Sequence, residues 1–173
     1  KIEQTGKLAD EDAARIFERS RELGFYAMSI PEEHGGGGLS TFDWMLAEEQ
    51  FGQTSDILIR RAFGNIYEIL LAGTPDQHAR WLAPSVRGER VFAVAFTEPE
   101  AGSDAAAIRT SARRDGDAWV LNGHKCFISD AHACDFFVVT AVTDKDTGAK
   151  GISTFIVDTG LNGFTVGPNQ PMM

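Results

Sequence analysis

The chain has 173 residues, which at ~150 residues per domain predicts one domain or two small ones. Hydrophobic residues make up 43% and charged residues 24% of the sequence, so the chain can bury a core and is not a disordered segment. Its 25 acidic and 16 basic residues leave a net charge of −9, which argues against a nucleic-acid partner held through its phosphate backbone.

Hydropathy and cysteine usage bear on the compartment. The strongest apolar runs, residues 91–96 and 136–139, are strand-sized and fall short of the ~18 residues that a membrane span needs. The first residues lack the apolar segment of a secretory signal, and two cysteines, Cys126 and Cys134, are too few for a disulfide framework. The sequence therefore predicts a soluble protein without a membrane span, in a reducing, cytoplasmic setting.

The first half of the chain shows apolar residues at helical spacing. Residues 8–24 predict a first helix, which ends at Gly24 because glycine favours the left-handed conformation of a helix end. Ser40, with Asp43 three residues later, predicts the cap of a second helix that ends near Phe51.

Two more helices are predicted before residue 90. The third covers residues 55–72, and the fourth begins after Thr74, with Gln77 at the capping-box position. The fourth helix is expected to carry Trp81 and Leu82 inward. The first half of the chain is thus predicted to be a set of packed helices.

Beyond Arg90 the sequence is typical of β-structure. Strands are predicted over residues 91–96, 108–113, 119–121, 125–128, 136–142 and 152–157. A turn is predicted at residues 115–117, and Asn122-Gly123 predicts a tight hairpin because both residues tolerate positive φ. Many short strands at such spacing favour a small barrel or sandwich.

One turn could hold a ligand. Thr97 and Ser103 bracket a proline-stiffened stretch of small residues directly after the strand over residues 91–96. Backbone N–H groups in such a turn can approach a flat polar ligand closely. The alternative is an ordinary strand-exit loop in which Ser103 or Asp104 merely caps a turn.

This turn also carries a resemblance. Its residues read Ala95-Phe96-Thr97-Glu98-Pro99-Glu100-Ala101-Gly102-Ser103-Asp104 and closely resemble the first signature of the acyl-CoA dehydrogenase family. Residues 122–130 resemble the second signature, residues 30–36 and 70–74 the family's N-terminal domain, and residues 163–166 a later middle-domain strand. The matches follow the family's order across most of the chain.

The resemblance implies an α+β fold with two domains. An N-terminal α-helical bundle over residues 1–90 would be followed by a truncated middle domain over residues 91–173, an incomplete antiparallel β-barrel. The family's catalytic glutamate lies in a C-terminal four-helix domain that this sequence lacks, so no catalytic residue is assigned and the fragment is expected to be inactive alone. Members are homodimers or homotetramers that pass electrons to an electron-transferring flavoprotein.

The resemblance also implies a cofactor, FAD, and the residues that would bind it. These are Val94, Phe96, Thr97, Gly102, Ser103, Phe127, Ile128 and Ser129, and Ser103 is also expected to meet the acyl-CoA substrate. In relatives the segment matching 127–129 is usually Trp-Ile-Thr, with its hydroxyl pointing at the flavin N5 atom. Phe127 and Ser129 preserve the aromatic face and the hydroxyl donor.

The implied function is FAD-dependent α,β-dehydrogenation of acyl-CoA thioesters in fatty acid metabolism. Two alternatives remain open. An acyl-CoA oxidase or another flavin enzyme of the superfamily would share these motifs. A non-catalytic module that binds acyl-CoA or a protein would use the same fold without oxidising anything.

Three other motifs could suggest a different kind of site. His124 with Cys126, and His132 with Cys134, could supply zinc ligands, but their spacing is unusual for a zinc module and no metal is expected. The glycines of residues 35–38 lack a phosphate-loop ending and are interpreted as a flexible connector. The carboxylates that flank Pro99 are too close in one turn to act as an opposed catalytic pair.

Overall fold

The computed structural model describes residues 9–53, 66 and 68–168. The chain divides into two compact units, Lys1–Val91 and Phe92–Met173. Helices and turns make up the described part of the first unit, and a sheet makes up the second, which confirms the mixed α and β content. None of the helices in the described ranges combines the length and the apolarity that a bilayer crossing requires.

The first two predicted helices are confirmed. Helix α1, Asp10–Glu22, has three acidic residues in its first turn and two arginines in its last, which complements the helix dipole. Gly24 follows with φ 74°. Helix α2, Thr41–Phe51, begins as predicted, since the Ser40 hydroxyl accepts a hydrogen bond from the Asp43 N–H at 3.2 Å.

The third predicted helix lies mainly outside the described residues. Its described end, Glu68–Ala72, is a 3-10 helix. The fourth is confirmed: α3, Pro75–Gln77, continues through a π-helical turn, His78–Leu82, into α4, Ala83–Val86.

A capping box starts this helix, as the sequence predicts. The Thr74 hydroxyl accepts from the Gln77 N–H at 3.3 Å, and the Gln77 side chain accepts from the Thr74 N–H at 2.8 Å. Leu82 is fully buried. Trp81 is half-buried, with the Arg80 guanidinium 4.4 Å from its ring centre.

The glycine run is closely packed, so the interpretation as a flexible connector is wrong. A Cβ on Gly36 would overlap the backbone of Ile30, and one on Gly37 would lie 2.9 Å from Met28 Cα. Ile30 is itself fully buried. These glycines allow one turn of backbone to lie against another.

The second unit is built on a five-stranded sheet. Its strands are β1 (Phe92–Ala95), β2 (Ser111–Asp115), β3 (Ala118–Asn122), β4 (Phe136–Val142) and β5 (Ile152–Asp158). β4 is central: it pairs in parallel with β1 and along its whole length with antiparallel β5. Past the end of β1, Val142 of β4 pairs with Ser111 of β2, which forms a hairpin with β3.

The expected incomplete antiparallel β-barrel is not confirmed: the sheet is not closed, and it is mixed, because β1 pairs with β4 in parallel. β1 and β4 run in the same direction, and parallel pairing requires a long connection between the two strands. Residues 96–135 form this connection. β4 is a nearly continuous apolar run and is buried on both faces, as strands with parallel partners usually are.

Two sheet faces carry separate contacts. On one face Phe92 and Phe136 stack with ring centres 5.2 Å apart. On the other face the buried side chains are Ala93, Ala95, Phe137 and Val139, with partly buried Ile128, Cys134 and Phe164 packed against them. The loop that follows β3 is therefore anchored to the sheet through its own side chains.

Two predicted strands and one hairpin are wrong. Residues 125–128 form no strand, because the φ of 56° at Phe127 lies outside the extended region. The hairpin turn lies instead between the paired residues Asp115 and Ala118, at the other predicted turn. Described residues 163–166 also form no strand; the Phe164 ring packs on Phe137 at 5.1 Å.

Candidate functional site

Two segments of the second unit lie side by side. We call residues 96–104 the β1 turn and residues 123–130 the β3 loop, after the strands that they follow. The Cys126 N–H donates a hydrogen bond to the Thr97 carbonyl at 2.9 Å, and Lys125 Nζ donates to the Phe96 carbonyl at 3.0 Å. The structure thus brings together the two segments that the sequence singles out.

The β1 turn is closed by its own backbone. The Glu98 N–H donates to the Ala101 carbonyl at 3.0 Å, and the Ala101 N–H donates to the Glu98 carbonyl at 3.2 Å. Ala101 is buried beneath the turn, whereas Gly102 and Ser103 are exposed. A Cβ on Gly102 would meet nothing within 4 Å, so the space over this residue is open.

The predicted cofactor residues differ in exposure. Val94, Thr97 and Ile128 are partly buried, and Ile128 packs on the sheet. The exposed residues are Phe96, Gly102, Ser103, Phe127 and Ser129. The β1 turn therefore presents the exposed ring of Phe96 and the exposed hydroxyl of Ser103, and the β3 loop presents those of Phe127 and Ser129.

Phe127 combines exposure with a costly backbone conformation. Its side chain is 76% exposed, and its φ of 56° lies in the left-handed region, which costs a residue with a Cβ about 1–2 kcal/mol. Because the ring is exposed, burial of its apolar surface within the chain does not offset this backbone cost. Such strain is often found at functional sites, which makes Phe127 a candidate for a functional contact.

The feature that the sequence did not reveal is a buried ion pair beneath the two segments. Lys125 Nζ lies 2.8 Å from Glu98 Oε1, and the two side chains are 11% and 7% exposed. The Glu98 carboxylate also accepts the backbone N–H groups of Arg109 at 2.6 Å and Thr110 at 3.1 Å. The one available signal was that each partner lies inside a signature segment.

These contacts fix the charge of Glu98. Burial acts to raise the pKa of this carboxyl, but the Lys125 ammonium and the two backbone N–H groups outweigh it and lower the pKa to about 2. A buried carboxylate with so low a pKa is a poor proton acceptor near neutral pH, where an effective base has a pKa close to the working pH. Glu98 is therefore a structural anion, and Glu100 forms an exposed ion pair with Arg109.

The alternative zinc set is not assembled. Within residues 9–53, 66 and 68–168 no three potential metal ligands lie in one group. Burial raises the pKa of Cys134 to about 11, which keeps it a thiol, and its Sγ lies 3.7 Å from the Ala131 carbonyl. Cys134 thus packs as a small apolar side chain.

Both units of the chain match models of one protein family. Residues 1–89 match the family model for the acyl-CoA dehydrogenase N-terminal domain, and residues 93–173 match that for the middle domain. The chain is 40% identical over 153 residues to the mitochondrial short-chain specific acyl-CoA dehydrogenase of Bos taurus, covering 86% of this chain and 37% of that protein. It is 34% identical over 182 residues to a subunit of the caffeyl-CoA reductase-Etf complex of Acetobacterium woodii, covering 99% and 45%.

A solved structure has a similar fold. Butyryl-CoA dehydrogenase from Megasphaera elsdenii superimposes with a TM-score of 0.79 at 32% identity, covering 97% of this chain and 45% of that one. The chain spans less than half the length of each of these three relatives.

Proposed function

The chain belongs to the acyl-CoA dehydrogenase family, and from this membership we propose that it forms the flavin-lining part of an enzyme that dehydrogenates acyl-CoA thioesters. Its two units would be the N-terminal helical and middle domains of that enzyme. The observation that carries the proposal is the hydrogen bond at 2.9 Å between Cys126 N–H and the Thr97 carbonyl. It joins two segments that each present an exposed aromatic ring and a hydroxyl.

The residues present fit FAD chemically. A flavin ring is flat, with one apolar end and one end rich in hydrogen-bonding groups. Phe127 offers an exposed aromatic face, Ser103 and Ser129 offer exposed hydroxyls, and Gly102 leaves open space beside the turn. We propose that the full set predicted from the sequence, Val94, Phe96, Thr97, Gly102, Ser103, Phe127, Ile128 and Ser129, holds this cofactor.

Each segment would have its own task. The chemistry that a bound flavin supplies is acceptance of the hydride that leaves the substrate β-carbon, while a base removes the α-proton. The backbone of Phe96 and Thr97 would hold the polar end of the ring, and Phe127 would cover one face and exclude water. The Ser129 hydroxyl would donate a hydrogen bond at the hydride-accepting edge, and Ser103 would meet both cofactor and thioester.

The proton-abstracting base is not assigned to this chain. Glu98 is excluded by its low pKa and its ion pair, and no other glutamate matches the family's base. The resemblance implies that this base lies in a C-terminal domain. We therefore propose that catalysis requires a longer protein, a homodimer or homotetramer that passes electrons to an electron-transferring flavoprotein.

A second candidate is the reverse reaction. The relative from Acetobacterium woodii is named as part of a reductase that acts with Etf. Reduction of an α,β-unsaturated thioester would use the same residues, and a bound flavin would supply the hydride to the β-carbon while the acid form of the base returns a proton to the α-carbon. The two candidates differ in the direction of electron flow and not in the architecture of the site.

Visible absorption spectra of the full-length protein, reconstituted with FAD, test both candidates. Butyryl-, octanoyl- and palmitoyl-CoA are added to the oxidised protein, and caffeyl-CoA is added to the protein reduced with dithionite. Bleaching by one length class or reoxidation by the unsaturated thioester supports the flavin site, and the more complete of the two changes gives the favoured direction of electron flow. A protein that stays colourless after reconstitution contradicts the proposal and supports a non-catalytic module.

A further inference from the structure

The ammonium of Lys125 joins three separate elements. It donates hydrogen bonds to the Phe96 carbonyl at 3.0 Å, to Glu98 Oε1 at 2.8 Å and to the Thr140 hydroxyl at 3.2 Å. These acceptors lie in the β1 turn and in strand β4, while Lys125 itself lies in the β3 loop. All three donors of the ammonium are therefore used.

Most of these hydrogen bonds join the β3 loop to one short stretch of the β1 turn, residues 96–98. Lys125 binds the residues on either side of Thr97, and the next residue, Cys126, binds the Thr97 carbonyl. Two consecutive residues of the β3 loop are thus fixed to three consecutive residues of the β1 turn. Phe127 follows directly, so its position relative to Thr97 depends on these contacts.

Stability alone gives little reason to bury a lysine here. Removing two charges from water carries a desolvation cost that their mutual attraction often only balances, and apolar replacements of similar volume are frequently as stable. Glu98 would still be held in place by the N–H groups of Arg109 and Thr110. What the lysine adds is a set of directed hydrogen bonds that run from one atom of the β3 loop to both the β1 turn and strand β4.

Resting on the proposed function, we propose that Lys125 is a positioning residue for the flavin site. It fixes the distance between Phe96–Thr97 of the β1 turn and Phe127–Ser129 of the β3 loop. This distance would set the width of the slot that the flavin ring occupies. It does this from beneath the segments, through the backbone of Phe96 and the carboxylate of Glu98. Thr140 ties the assembly to the central strand.

The test compares Lys125→Met with the parent in the full-length protein. Lys145→Met is the matched control, because it makes the same change at an exposed lysine in the loop before β5. The dissociation constant of FAD is measured by fluorescence quenching and the visible circular dichroism of bound flavin is recorded, both below the unfolding temperature of every variant. Lys125→Met is expected to weaken FAD binding about tenfold or more and to change the dichroism, whereas Lys145→Met changes neither.

A purely structural lysine gives a different result. In that case Lys125→Met lowers the unfolding temperature but leaves the FAD dissociation constant and the visible dichroism as in the parent, and the proposal is overturned. Where Lys125→Met does not fold, the double variant Lys125→Met/Glu98→Gln removes the unpaired buried charge. Weaker FAD binding with changed dichroism in this double variant then supports the positioning role, and parent-like values overturn it.

A cofactor-free measurement separates this inference from the proposed function. If the parent binds no FAD, the proposed function fails, and the slot is examined by amide hydrogen exchange at Cys126. Loss of the lysine is expected to speed exchange of this N–H about tenfold or more, because the bond to Thr97 would lose the neighbouring bonds of Lys125 to Phe96 and Glu98. Unchanged exchange at Cys126 overturns the positioning role whatever the cofactor result.

Discussion

Replacing Glu98 by Gln should remove much of the acid sensitivity of the second unit. The pKa of this carboxyl is about 2 in the folded chain against an ordinary value of 4.5. Because each unit of difference is worth about 1.4 kcal/mol, the ionised carboxylate contributes about 3 kcal/mol to the free energy of unfolding. Glu98 is 7% exposed, so solvent screens this contribution little.

The sign follows from where the proton binds. Between pH 4.5 and about 2 the unfolded carboxyl is protonated while the folded one is not, so the unfolded state binds more protons and stability falls as pH falls. The contribution is fully present above pH 4.5 and is lost progressively toward pH 2. Glu98→Gln cannot be protonated there, so its stability should fall by about 3 kcal/mol less than that of the parent over this window.

Urea unfolding followed by Trp119 fluorescence measures this difference. Trp44 and Trp81 are replaced by Phe in every protein compared, so that the signal reports on the second unit alone. Glu100→Gln is the control, because Glu100 lies in the same turn but its side chain is 64% exposed. The reasoning is refuted if Glu98→Gln and Glu100→Gln lose equal stability between neutral pH and pH 2.

The remaining predictions concern the loop that carries the site. Gly123→Ala should destabilise the second unit by about 2 kcal/mol, because its Cβ would lie 2.5 Å from Thr110 Cβ, whereas Gly102→Ala has no atom within 4 Å; equal urea midpoints would contradict this. Ser129→Ala in the full-length protein should slow flavin reduction in stopped-flow mixing more than it weakens thioester binding, and unchanged reduction rates would remove the proposed role. Phe127→Gly should raise apoprotein stability by about 1 kcal/mol by relieving the φ of 56° while weakening FAD binding, and a lower melting temperature would argue against strain at this residue.

Helix boundaries were predictable because their causes are local. Ser40 with Asp43, and Thr74 with Gln77, satisfy backbone N–H groups only three residues away. Each cap can therefore be read from a few neighbouring residues. Gly24 ends helix α1 with a positive φ for the same kind of local reason.

The failures came where a residue serves a distant contact. Asn122-Gly123 has the sequence of a tight turn, but Gly123 lies against Thr110, where any Cβ would overlap its side chain. The parallel pairing of β1 with β4 likewise depends on the path of residues 96–135. Neither requirement leaves a mark in the residues immediately around it.

Part of the candidate site could be predicted from the sequence, and part depends on a distant contact. The resemblance to a family selected the two segments, and the structure places them side by side through Cys126 and Thr97. The ion pair that underlies them joins Glu98 to a lysine 27 residues away. Composition and spacing could nominate Glu98 as a carboxylate in a turn, but its role depends on that remote partner and on two backbone N–H groups.

A crystal structure of the full-length protein grown with FAD tests the central claim most directly. We expect the isoalloxazine ring between the Phe96–Thr97 edge and the Phe127–Ser129 edge, with the Phe127 ring against one face. A flavin bound elsewhere, or crystals grown in excess FAD with clear density for both edges and no flavin between them, would contradict the assignment.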